Sequence, residues 1–249
     1  MSSNLASTDD EICISLDLET TGLVTETDEI IEVGAVKFQG DLVLDTLHAL
    51  VNPYRPLPQF IRELTGISQT EVDAASPFAT VAPRLESFIG NCPIVGQNID
   101  FDLAFLARKG LNLSNPYYDT REMASVLLPR LREYSLLPLA ASLGIEHPRL
   151  HRALEDATVT AKVFGALTRV ALELGEGLLS ELSRMYARSR GHLATLFLRL
   201  QRAKGLESGP NPTTTGLLGV DMESLGKRLG STPALRLHMD HPPMDEEMI

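Results

Sequence analysis

A chain of 249 residues, 43% hydrophobic and 22% charged, has enough apolar side chain for one sizeable core and the composition of an ordinary globular protein. Its net charge of −11 excludes a protein that coats nucleic acid through a broadly basic surface, but not one that grips a few nucleotides through bound cations. Cys13 and Cys92 are too few for a disulfide framework, Met1-Ser2-Ser3-Asn4-Leu5 lacks the basic and apolar regions of a secretion signal, and no uncharged apolar run reaches the roughly 18 residues of a membrane span, so a cytoplasmic protein with reduced thiols is expected.

Residues 1–10 are polar and expected to fray. Ile12 to Glu19 then alternates: Ile12, Ile14, Leu16 and Leu18 fall on one side, Cys13, Ser15, Asp17 and Glu19 on the other, the period of a strand. Glu29 to Phe38 reads as a second strand, Gln39-Gly40-Asp41 as a turn, and Leu42 to Val51 as a third strand, stopped by Asn52-Pro53. Three strands so closely linked form an antiparallel meander. A short helix from Pro56 to Thr65 closes on Gly66, and Ser76-Pro77 opens a helix to about Ile89. Pro93 to Gly96 is a brief buried strand feeding a helix that reaches Lys109. Asp119 caps a helix ending near Pro129, Ser135 caps another that stops at Gly144, and Ala153 to Leu174 is a long amphipathic run. A meander followed by alternating helices and strands implies an α/β layer fold with a mixed sheet.

The chemistry begins with the first strand. Asp17 and Glu19 share a face, roughly 6–7 Å apart along the chain, and two carboxylates so close repel unless a cation lies between them. A hard divalent ion answers that repulsion, although Asp-x-Glu alone equally fits the start of a solvated turn. Asp102 follows a buried strand at a helix start, with Phe101 beside it, and Asp156 lies in the first turns of the long helix. His151 precedes Asp156 by five positions, about 140° out of phase on a helix, so it must reach that carboxylate from the preceding loop. Such freedom suits a proton-transfer residue more than a fixed ligand. Asp100 and Glu155 read as first-turn charges that favour the helix dipole, and His48, His147, His192, His238 and His241 as structural or solvated.

The order Asp17-Leu18-Glu19-Thr20-Thr21-Gly22, then Asn98-x-x-Phe101-Asp102-x-x-Phe105-Leu106, then His151-x-x-x-x-Asp156 resembles the DnaQ-like DEDDh 3′-5′ exonucleases, which include the epsilon-type proofreading subunit of DNA polymerase III. Ile30-Ile31-Glu32-Val33-Gly34-Ala35-Val36, Leu64-Thr65-Gly66-Ile67, Asp119-Thr120 and His151-Arg152-Ala153-Leu154 agree with it, and the likeness covers about residues 11–175. Gln97 stands where many members place a histidine, a position with no carboxylate or base role. The resemblance implies a ribonuclease-H-like fold: a mixed sheet with the antiparallel meander and parallel strands, flanked by helices. It also implies two Mg²⁺ or Mn²⁺ ions held by Asp17, Glu19, Asp102 and Asp156, His151 as general base, and Thr20, Leu23, Thr65 and Phe101 lining the pocket for the terminal nucleotide. The expected substrate is a single-stranded DNA 3′ end. RNA stays open, since discrimination rests on contacts to the 2′-OH that sequence alone does not place.

Beyond residue 175 the character changes. A helix from about Leu178 to Lys204 carries Arg184, Arg188, Arg190, Arg199, Arg202 and Lys204 against Glu181, with Leu182, Met185, Leu193, Leu196 and Leu200 available to dock on the core. Ser208 to Gly216 reads as linker and the remainder as a tail with little independent structure. The expected organisation is an exonuclease domain at 1–175, a basic helix at 176–205, and linker and tail at 206–249. Some relatives carry the exonuclease in front of a helicase, and this region looks like such a junction, pointing to a polymerase or helicase partner. No Gly-x-x-x-x-Gly-Lys-Ser/Thr loop follows, so the chain has no ATPase motif of its own. The competing reading, from a different class, is a tethering module that kept the fold without the activity.

Overall fold

The computed structural model describes residues 11–146, 151–188 and 192–204. The expectations for residues 1–10 and for the linker and tail lie outside them. Among the described residues no helix is long and apolar enough to cross a membrane.

Strands β1 (Ile12–Thr20), β2 (Ile30–Gln39) and β3 (Leu42–Leu50) form the meander, and β4 (Ile94–Gly96) and β5 (Tyr117–Asp119) complete a sheet of order β3-β2-β1-β4-β5. β1 pairs antiparallel with β2 and parallel with β4, and β4 pairs parallel with β5. β1 is therefore central, and α7 packed on its supposed polar face covers that face as well: Cys13 and Ser15 are buried.

Helices α1 (Gln59–Thr65), α2 (Gln69–Asp73), α3 (Phe78–Ile89) and α4 (Asp100–Arg108) come from the first half of the chain. Two layers cover the sheet. On one face α3 and α4 bury Leu85, Ile89, Phe105 and Leu106 against Ile14, Leu16, Val33 and Ala35. On the other, α5 (Thr120–Leu127), α6 (Leu136–Ser142) and α7 (Ala153–Glu173) pack with Cys13, Val36, Phe38 and Tyr118, and the Phe164 ring stacks 5.7 Å from Tyr118. Gly66, with φ 70°, ends α1 in the left-handed conformation that favours glycine, as expected from its position. α2 has no counterpart in the sequence reading. It is one short turn held by a capping box in which Ser68 and Glu71 exchange hydrogen bonds, a local Ser-x-x-Glu signal.

The helix expected from Leu178 to Lys204 is instead two, α8 (Glu176–Tyr186) and α9 (Leu193–Ala203). Leu179 and Leu182 of the first and Leu193, Leu196, Phe197 and Leu200 of the second are all buried in the core beneath α7. One straight helix of that length would span about 40 Å and carry half of them away from that core. Met185, expected to dock, is 64% exposed. Of the basic residues, Arg199 pairs with Glu11 and reaches the Tyr118 hydroxyl at 3.2 Å, Arg184 pairs with Glu181, and Arg188 and Arg202 are exposed.

Candidate active site

β4 is only three residues long, and its pairing with β1 stops at Ser15 and Val95. β1 runs on past it, so its far end has backbone donors that the parallel neighbour does not reach. One of these, the Leu18 N–H, donates to Asp102 Oδ1 at 3.0 Å. That bond fastens the start of α4 between the two acids of β1, and Asp102 is left 4% exposed. The entry to α4 is tied from the other side by Asp119, which accepts from the Ile99 N–H at 2.9 Å and caps α5 through the N–H groups of Arg121 and Glu122.

α7 arrives over the opposite edge of the site. In the sheet register Asp17 faces Gly34 and Glu19 faces Glu32. A Cβ on Gly34 would overlap the Ala153 carbonyl group, so only glycine lets the first turn of α7 settle onto β2 at that point. Asp156, in the first turn of α7, is thereby brought beside Glu19. His151 stands just before the helix with φ 57°, and its backbone N–H donates to Asp156 Oδ2 at 3.2 Å. Ligand atoms of Glu19, His151 and Asp156 all lie within 4.8 Å of one another. The histidine thus meets the carboxylates from the loop, as the five-residue spacing requires.

The electrostatics match a site built for cations. Burial pushes the Asp17 carboxyl well above its ordinary range, and the carboxylates of Asp102, Asp156, Glu19 and Glu32 push further in the same direction. Burial, then Asp156, Glu32 and Asp102, raise Glu19 to about 8 against a smaller opposing effect of Arg152. Asp102 is raised by burial, despite the Leu18 N–H bond that favours its charged form. Concentrated, partly desolvated carboxylate oxygens are the donor set of hard divalent ions, and the residues present fit such ions. Other hands are occupied: Gln97 donates to the Tyr134 carbonyl at 2.6 Å and accepts from the Thr120 hydroxyl at 2.6 Å, so the residue that departs from the family pattern braces the loops around β4.

The four expected pocket residues are disposed less uniformly. Leu23 is 83% exposed on the loop after β1, and Phe101 is partly buried with its ring 4.8 Å from that of Phe105. Thr20 donates its hydroxyl to the Gly22 carbonyl at 2.6 Å. Thr65 donates to the Ile61 carbonyl at 2.8 Å and accepts from the Ile67 N–H at 3.1 Å. Both threonines are buried, with their hydroxyls engaged in their own turns.

In sequence, Glu32 and Arg152 carry no role beyond their motifs, and His48 has no evident partner. All three meet in one network. Glu32 is fully buried and accepts from Arg152 Nη2 at 2.7 Å, Arg152 Nε at 3.0 Å and the Ala153 N–H at 2.9 Å, and His48 Nε2 lies 2.7 Å from it. Burial works against its charge, but the bonds from Arg152, Ala153 and His48 prevail and hold it below the usual glutamate range. A signal existed: a glutamate between Ile31 and Val33, inside a strand otherwise apolar up to Lys37, is a charge where the core should be.

Residues 14–164 match the model of the RNase_T exonuclease family. The chain is 39% identical over 181 residues, 71% of its length, to the DNA polymerase III PolC-type of Thermotoga maritima, and that match spans 13% of the relative. It is 33% identical over 156 residues, 61% of its length and 77% of the relative, to the DNA polymerase III subunit epsilon of Aquifex aeolicus. Among solved structures, the nuclease domain of 3′hExo, a DEDDh family member bound to rAMP, superposes with a TM-score of 0.58 at 21% identity, covering 66% of this chain and 94% of that one. Exonuclease X in complex with 5′ overhanging duplex DNA gives a TM-score of 0.55 at 24% identity, covering 63% and 91%. These likenesses, with the meander-led mixed sheet, establish the ribonuclease-H-like fold. With the three motifs placed on β1, α4 and the loop into α7, the match of residues 14–164 makes this protein a member of the RNase_T exonuclease family.

Proposed function

We propose that the protein is a metal-dependent 3′-5′ exonuclease that removes nucleoside 5′-monophosphates from DNA 3′ ends, as a proofreading or repair nuclease does. The observation that carries this reading is the convergence of Glu19, His151 and Asp156 donor atoms within 4.8 Å, beside the partly buried Asp17 and the buried Asp102. Asp17, Glu19, Asp102 and Asp156 would hold two Mg²⁺ or Mn²⁺ ions. When bound, such ions lower the pKa of water and offset the charge that develops on the leaving 3′ oxygen.

The chain's own residues do the rest. His151 accepts the proton of the attacking water at a ring nitrogen, and a base so placed contributes about 10²–10⁴-fold. The Leu18 N–H holds Asp102 against β1, and the His151 N–H holds Asp156, so both acids are oriented before substrate arrives. Leu23 and Phe101 offer apolar surface to the terminal base. Thr20 and Thr65 act by shaping the backbone of the pocket, since their hydroxyls are already bonded.

A DNA substrate is supported by the names of the relatives, which are components of DNA polymerase III. The same names favour a polymerase partner, met through the exposed Arg188 and Arg202 and the segment beyond residue 205. A tethering module without activity would have no need to keep all five residues, Asp17, Glu19, Asp102, His151 and Asp156. The test is degradation of matched 5′-labelled DNA and RNA single strands in Mn²⁺. A descending single-nucleotide ladder on DNA is expected. A ladder on RNA alone would make the enzyme an RNA trimmer, and none on either would remove the nuclease reading.

A further inference from the structure

Among the described residues, the most heavily bonded charge outside the five site residues is Glu32. An ionised carboxylate wholly removed from water costs several kcal/mol unless it is paired and hydrogen-bonded, and nothing in packing β2 between two apolar layers calls for one. Its partners explain its presence. Arg152 and Ala153, the two residues immediately after His151, supply three short bonds to it, with the guanidinium lying across the carboxylate edge and the Ala153 N–H at 2.9 Å on Oε2. His48 on β3 meets Oε1 at 2.7 Å from the far side.

These bonds act on a backbone that needs them. His151 is one of three non-glycine residues with positive φ among the described residues, a conformation that persists only when its surroundings enforce it. On its C-terminal side the enforcement comes from the Arg152 and Ala153 bonds to Glu32, and from Gly34, where the missing Cβ lets α7 rest on the strand. Glu19, opposite Glu32 in the register, is one of the two carboxylates that the histidine must meet.

We infer that Glu32 is the positioning residue of this site: by holding Arg152 and the Ala153 N–H it fixes the turn that aims the His151 ring at Glu19 and Asp156. Its kinetic consequence rests on the proposed exonuclease function, whereas the clamp itself does not. Both Glu32 oxygens are engaged by Arg152, the Ala153 N–H and His48. Glu32 acts through His151, so its removal should matter only while His151 is there.

The experiment is a cycle on the full chain with wild type, Glu32→Gln, His151→Ala and the double variant, using single-turnover rates on 5′-labelled single-stranded DNA in Mn²⁺. Glu32→Gln should lower the maximal rate about 10–100-fold, with half-saturating DNA concentration unchanged within about twofold. In the His151→Ala background the same substitution should cost less than about threefold, because no ring remains to be aimed. Losses that simply multiply would overturn the inference. If Glu32→Gln does not fold, Arg152→Lys, which keeps the cation but loses the planar fork, runs the same cycle. Amide hydrogen exchange supplies a readout without turnover. In EDTA, Glu32→Gln (or Arg152→Lys) should speed exchange across residues 151–156 at least about tenfold and leave residues 160–170 of α7 unchanged. Unaltered exchange at 151–156 would refute the clamp. If wild type degrades neither DNA nor RNA, the proposed function fails, and exchange alone decides on Glu32.

Discussion

Replacing Glu19 by glutamine should stabilise the metal-free protein while destroying its activity. Glu19 is partly buried beside Asp156, Glu32 and Asp102, and its carboxyl is pushed up to about 8 from an ordinary 4.5, first by burial and then by those charges. A carboxyl whose folded pKa is raised binds its proton more tightly in the folded state. Its cost to stability is therefore absent below the unfolded pKa, grows as pH rises between about 4.5 and 8, and is complete above that. At pH 7 the interval above 4.5 is about 2.5 units, or roughly 3 kcal/mol at 1.36 kcal/mol per unit, an upper figure because the neighbouring acids share the same repulsion. For a chain of this size that corresponds to a gain of up to about 6–12 °C in Tm. The assay is thermal unfolding in EDTA at pH 5, 7 and 8.5, followed by the same series in Mn²⁺. Glu19→Gln should melt above wild type in EDTA by a margin that widens with pH, and Mn²⁺ should raise wild type far more than the variant. A variant that melts below wild type in EDTA, or by a margin independent of pH, would refute the electrostatic account of the site.

Three further outcomes are expected. Chelation with EDTA should abolish nucleotide release, and Mg²⁺ or Mn²⁺ should restore it; release that survives chelation would sink the metal requirement. His151→Ala should lower turnover by about 10²–10⁴-fold while the Mn²⁺-induced rise in Tm persists, so near-normal turnover would remove the general-base role. Phe197→Ala, at a fully buried position of α9, should cost about 3–5 kcal/mol in chemical denaturation, and a loss below about 1 kcal/mol would mean that the helical pair contributes little to the core.

Several features of this protein follow from its sequence without any tertiary information, because they depend on spacing within one segment. Period two places Asp17 and Glu19 on one face of β1, a strand-to-helix junction places Asp102 at the start of α4, and the phase of an α-helix denies His151 a place on the face of Asp156 and assigns it to the loop. The meander, the mixed sheet and the family motifs are local patterns of the same kind. What the sequence leaves undecided depends on segments far apart in the chain. Glu32 meets Arg152 across 120 positions, and the identity of that partner depends on which residue of β2 lies opposite Glu19 and on where α7 crosses it. The break between α8 and α9 likewise answers to the core that both must reach, since each half taken alone reads as helix. Thr20 and Thr65 carry hydroxyls that a motif offers to substrate, yet the folded turns engage them first. Strand β1 shows the division in one element. Its alternation separates two faces, but only the packing of α7 makes the second face a buried one, where charge is costly and four carboxylates together call for a cation.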